Sequence, residues 1–125
     1  MIDFNKSLIF KLQPDATGNI AALVSDLLID GESVIVSFVT IRDGIAFTNK
    51  RIIAVNVQGL TGQKKDFTSI PYSRIQTFSV ETAGKIDLDG ELDIWISSVG
   101  KVRFEFGFKF DVMKLGRLLS KAVLK

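Results

Sequence analysis

The stretch Lys101-Val102-Arg103-Phe104-Glu105-Phe106-Gly107-Phe108 (KVRFEFGF) decides how this chain folds. Val102, Phe104, Phe106 and Phe108 alternate with Lys101, Arg103, Glu105 and Gly107, so one face is aromatic and the other polar. Successive side chains of a strand point to opposite faces. The pattern therefore predicts a half-buried antiparallel strand with its phenylalanines in the core.

Downstream of this strand, Asp111 has the chemistry of a helix N-cap, and Val112, Leu115, Leu118, Leu119, Ala122 and Val123 form a broad apolar helical face. Gly116 costs an isolated helix about 1 kcal/mol relative to alanine, whereas each fully buried leucine contributes roughly 1.5–3 kcal/mol. Such a helix forms because it rests on something.

Upstream, β-branched and aromatic runs predict strands over 33–41, 45–48, 51–57, 64–70, 75–81 and 92–97. Arg42-Asp43-Gly44, Asn49-Lys50 and Gln58-Gly59-Leu60-Thr61-Gly62 separate several of them as turns. RIIAVNV (51–57) is almost continuously apolar and reads as a central strand. With 101–108 the count is about seven antiparallel strands. A sheet of that size limits its open edges by curling into a barrel or splitting into two packed sheets, and the terminal helix plugs the open end.

The first thirty residues read as helical. Phe4, Leu8 and Leu12 recur every four positions until Pro14 interrupts them, and a second helix runs from around Asp15–Asn19 through Leu28 to a turn at Asp30-Gly31. The chain thus reads as a mainly β (α+β) domain over 31–125 with an N-terminal helical extension over 1–30.

The chain has 125 residues, enough for one ordinary domain. It contains no cysteine and no histidine, which removes disulfides, thiolate nucleophiles, the usual neutral-pH base and the commonest metal ligand. Sixteen basic residues against fourteen acidic ones give a net charge of +2. The only adjacent basic pairs are Lys50-Arg51 and Lys64-Lys65, so no basic stripe for nucleic acid is present. The N-terminal MIDFNKSLIFKL has no apolar core of the kind a signal peptide needs, and no apolar run approaches the ~20 residues that span a bilayer. The expected location is cytoplasmic.

Gly31-Glu32, the segment from Arg42-Asp43 through Phe47-Thr48-Asn49-Lys50-Arg51, Gln58 to Lys64, Ile70-Pro71-Tyr72-Ser73, Glu81 to Gly84 and Asp87 to Leu92 together resemble the bacterial pleckstrin-homology-like domains. The resemblance spans roughly residues 31–123. It implies strongly bent antiparallel sheets capped by a C-terminal helix, and assembly as a ring of identical copies with a pentamer favoured. It implies no enzymatic activity and assigns no ligand.

Candidate sites are few. Asp87 to Asp93 fails as a calcium loop, because taking Gly90 as the sixth position puts Lys85 first and Ile96 twelfth. Gly59-x-x-Gly62 followed by Lys64-Lys65 lacks the spacing and helix start of a phosphate-binding loop. Trp95 falls opposite Leu92, Ile94 and Ile96 and points outward, where an aromatic suits an interface. Phe4, Leu8, Leu12 and Trp95 are therefore the candidate oligomer contacts, and Lys50, Arg51, Lys64 and Lys65 a candidate anion or lipid surface. No residue is assigned to catalysis, to a cofactor or to a metal. The sequence thus points to a non-enzymatic, self-assembling scaffold or protein-interaction module, with peripheral binding of anionic lipid headgroups as the alternative.

Overall fold

The computed structural model describes residues 1–2, 8–84, 89–107 and 110–124, with Leu8 and Ile9 described by their backbone alone. Phe4, Asp87 and Phe108 lie outside the described residues. The chain divides into two compact units, Met1–Ile2 with Pro14–Pro71, and Asp3–Gln13 with Tyr72–Lys125.

The first unit contains a short helix α1 (Asn19–Val24), continued by a 3-10 turn (Ser25–Leu27), and the strands β2 (Val34–Val39), β3 (Gly44–Thr48), β4 (Arg51–Gln58) and β5 (Lys64–Pro71). The strands pair antiparallel in sequence order. Asp15 accepts hydrogen bonds from the Asn19 and Ile20 N–H groups at 3.2 and 2.8 Å, so a carboxylate satisfies the start of α1. Ile20 and Val24 of α1 pack on Ala46, Ile53 and Val55. Ile52 and Ala54, which point the other way, are buried as deeply, so β4 is central as its apolar run predicts.

The second unit contains β1 (Leu8–Pro14, whose last residue falls in the first unit), β6 (Ile75–Glu81), β7 (Gly90–Ile96), β8 (Gly100–Phe106) and the helix α2 (Met113–Val123). β6, β7 and β8 are antiparallel neighbours. All seven strands expected after residue 30 are present, their ends shifted by at most two residues.

The expected N-terminal helix is instead β1, which runs parallel to β8 with Leu8 opposite Val102 and Leu12 opposite Phe106. The reason is geometric. Positions four apart share one face of a strand as well as of a helix, so Leu8 and Leu12 fit both periods. Phe10, two residues between them, discriminates: it stacks on Phe104 with ring centroids 5.7 Å apart, while Lys11 and Gln13 are exposed.

Val102, Phe104 and Phe106 are buried as expected, facing the same side as Leu92 and Ile94. Val112, Leu115 and Leu119 are buried from the α2 segment. A Cβ on Gly116 would lie 3.0 Å from Val80 Cγ2 of β6. The glycine that weakens the helix in isolation is thus what lets α2 approach the sheet. Asp111 caps this helix: its Oδ1 accepts from the Met113 N–H at 3.2 Å and its carbonyl from the Lys114 N–H at 3.0 Å.

Candidate functional site

β4 and β5 pair along their whole length, Arg51 opposite Pro71 at one end and Gln58 opposite Lys64 at the other. The two basic pairs of the sequence therefore lie at opposite ends of one sheet, separated by roughly 24 Å at about 3.4 Å per residue. Lys50, Arg51, Lys64 and Lys65 do not form one surface.

The end holding Arg51 is closed. Glu32 Oε1 accepts from the Ile29 N–H at 3.1 Å and from Arg51 Nη2 at 2.9 Å. Its Oε2 accepts from the Thr48 hydroxyl at 2.7 Å and from Arg51 Nε at 2.9 Å. Arg51 Nη2 also donates to the Leu27 carbonyl at 2.6 Å and Nη1 to Ser69 Oγ at 3.2 Å. Asn49 completes the closure, accepting from the Ser33 N–H and donating to the Gly31 carbonyl, both at 2.9 Å. The Glu32 side chain is wholly buried. Burial pushes its carboxyl upward, but the hydrogen bonds from Arg51, Thr48 and Ile29, with the Arg51 charge, outweigh that and hold it below the usual glutamate range. Arg51 is a structural residue with its donors committed to the chain, and Lys50 alone of this pair is exposed.

The other end is open. Ile41 in the β2–β3 turn and Leu60 in the β4–β5 turn are fully exposed, at 102% and 107%. Arg42 Nη2 donates to the Gly59 carbonyl at 2.7 Å, which ties the two turns together beside both aliphatics. Asp43 does not pair with Arg42, although the two are adjacent in sequence. Its Oδ1 accepts from the Val57 N–H at 2.8 Å and its Oδ2 from Asn56 Nδ2 at 3.4 Å. Lys64 and Lys65 are exposed where β5 begins, and Lys65 Nζ donates to the Gly62 carbonyl at 3.4 Å. Gly59 and Gly62 have φ of 80° and 69°, and the Gly62 N–H donates to the Gly59 carbonyl at 3.3 Å. The turn thus closes on itself rather than cradling an anion.

In the second unit the polar faces of β6, β7 and β8 form ordered rows. Asp93 lies opposite Arg103, Trp95 opposite Lys101, and Glu91 opposite both Glu81 and Glu105. Arg103 binds Asp93 through both forks, Nε to Oδ1 at 2.8 Å and Nη2 to Oδ2 at 3.0 Å, and its Nη1 lies 3.5 Å from Glu91. The Arg103 guanidinium holds the Asp93 carboxyl low, whereas burial and then the neighbouring carboxylates push Glu91 up against it. Trp95 faces outward as expected, half-buried beneath Lys101 Nζ at 5.1 Å from the ring centroid.

Of the remaining expected contacts, Leu12 is buried at 2% exposure, on the strand β1 rather than on an amphipathic helix. Among the described residues no group of three acids is placed to hold a metal ion, and no helix is long and apolar enough to cross a membrane. Two features escaped the sequence reading. Glu32 is separated from Arg51 by nineteen positions, and no local pattern links them. Ile41 and Leu60 carried a readable signal: each is a large aliphatic placed in a turn, where strand alternation has ended and no face remains to bury it.

The family model for the bacterial PH domain matches residues 3–123. Uncharacterized protein YjqA of Bacillus subtilis (strain 168) is 47% identical over 96 residues, which cover 77% of each chain. A DUF1696-family protein with a pleckstrin-homology domain from Shewanella loihica PV-4 superposes with a TM-score of 0.74 at 33% identity, covering 92% of this chain and 99% of that one. A pleckstrin-homology domain from Shewanella amazonensis SB2B superposes with a TM-score of 0.62 at 36% identity, covering 90% and 93%.

Proposed function

Because this chain belongs to the bacterial PH domain family, we propose that it is a non-catalytic interaction domain that assembles with further copies of itself. The observation that carries this reading is the edge of β6. That strand pairs with β7 on one side and, among the described residues, ends its sheet on the other. An unpaired edge is a template for another strand, and natural proteins guard such edges with lysine, proline or charge. β5, which also ends its sheet, is guarded by Lys64, Lys65, Asp66 and Pro71. β6 (IQTFSVE) carries no charge before Glu81, and Gln76, Thr77 and Ser79 are exposed along it. Trp95 lies directly opposite Thr77, so the free edge runs beside an outward aromatic of the kind enriched in interfaces.

A ring of identical copies, fivefold in the family resemblance, seats this edge on a different surface of the next copy. Light scattering at micromolar concentration is the test. The expected mass is that of a closed oligomer, and Thr77→Lys with Ser79→Lys is expected to return the monomer mass with an unchanged dichroism spectrum. A monomeric mass for the unmodified protein overturns the reading.

A further inference from the structure

We propose that Asp30-Gly31 is a site of spontaneous isoaspartate formation, at which the main chain reroutes through the Asp30 side chain and slackens the network around Glu32. This inference is independent of self-association through β6. An aspartate followed by glycine is the dipeptide most open to this step, because glycine has no Cβ to hinder attack by its own nitrogen. The chain contains three, Asp30-Gly31, Asp43-Gly44 and Asp89-Gly90. The fold protects two of them. The Asp43 carboxylate accepts from the Val57 N–H at 2.8 Å and from Asn56 Nδ2 at 3.4 Å, and Gly44 is buried in β3. Asp89 has a partner of its own and precedes Gly90, which is buried at the start of β7. Asp30 and Gly31 are both exposed, and among the described residues nothing bonds the Asp30 carboxylate or the Gly31 N–H. Gly31 has φ 78°, and a Cβ there would meet nothing within 4 Å, so this turn stands clear of its surroundings.

Water is the only co-reactant the step needs. The Gly31 nitrogen forms a bond to Cγ of Asp30, and its proton leaves with a carboxyl oxygen and a second proton as water, which closes a cyclic imide. Water then adds at the former main-chain carbonyl, and the bond from that carbon to the nitrogen breaks. The chain now runs through Cβ and Cγ, one carbon longer, with a free carboxylate beside it. Two hydrogen bonds span the altered link, from the Glu32 N–H to the Ile29 carbonyl at 3.0 Å and from the Ile29 N–H to Glu32 Oε1 at 3.1 Å. A third, from Asn49 Nδ2 to the Gly31 carbonyl at 2.9 Å, anchors its glycine. The added carbon puts all three out of register, directly beside the carboxylate that Arg51 and Thr48 share.

Warm incubation at neutral pH in water enriched in heavy oxygen tests the assignment, followed by digestion, mass spectrometry and labelling with an isoaspartyl carboxyl methyltransferase. A synthetic peptide of residues 27–34 serves as the reactive control. Heavy oxygen is expected to enter the folded protein at Asp30, and at Asp43 about tenfold more slowly, because that carboxylate must first leave two hydrogen bonds. Asp30→Ser is expected to remove most methyl acceptance and to keep the dichroism spectrum, since serine suits an exposed turn. Aged protein is expected to unfold at lower urea than fresh protein, and aged Asp30→Ser at the same urea as fresh Asp30→Ser. Folded protein without heavy oxygen at Asp30 once the peptide has converted overturns the proposal, as does equal incorporation at Asp43 or Asp89. An isoaspartate at Asp30 that leaves the urea midpoint unchanged overturns its link to the Glu32 network.

Discussion

The two ends of the β2–β5 sheet share a turn, a basic dipeptide and an acid, yet they are built to opposite purposes. At one end Glu32, Thr48, Asn49 and Arg51 satisfy one another and the backbone of residues 27–33, and the charge is spent inside the chain. At the other end Arg42 and Asp43 are adjacent but unpaired with each other. The acid holds the turn from within, while the cations and two aliphatics face water. A basic pair in a sequence therefore carries no fixed meaning. What decides its role is whether the fold brings a carboxylate into the interior beside it.

Removing the acid from the closed end is expected to have the largest effect. Glu32→Ala leaves Arg51 without its buried counter-ion and should destabilise the protein by about 3–5 kcal/mol, read as a shift in the urea midpoint. A loss below about 1 kcal/mol would show that the network is replaceable by water.

Gly44→Ala sharpens the contrast from the other side. Its Cβ would meet the Ile20 side chain and lie 3.0 Å from the Phe38 carbonyl, so the open end is tightly packed beneath its exposed turns. The expected cost is about 1–3 kcal/mol, measured in the same way.

Acid gives a smaller and directional effect. The folded carboxyl of Glu32 titrates below its unfolded value, so its contribution is complete above about pH 4.3 and is lost as pH falls through the folded value. The urea midpoint should fall on acidification, and Glu32→Gln should flatten that fall. An identical acid limb in the variant would assign the effect elsewhere, for example to the paired Asp93.

The smallest effect belongs to the open end. Ile41→Asn should change stability by no more than about 0.5 kcal/mol, because a fully exposed side chain has no packing to lose.

Much of this fold is legible in the sequence. The alternation in KVRFEFGF and the near-continuous apolar run at 51–57 are local signals, and each became the strand it described. β1 was hidden because a spacing of four satisfies both periods, and because pairing to β8 is information held at the opposite end of the chain. The site was less legible than the fold for the same reason. Lys50-Arg51 and Lys64-Lys65 look alike in sequence, and only the register of β4 on β5 separates them.

Parallel pairing of β1 with β8 also bears on how the protein is made. Residues 1–2 and 14–71 form a unit that is complete once Pro71 has left the ribosome, whereas the pairing of Leu8–Leu12 must wait for Val102–Phe106. During synthesis that early apolar segment lacks β8, one of its partners, until the carboxyl-terminal third emerges. Truncation anywhere before β8 should therefore be felt at the very beginning of the polypeptide.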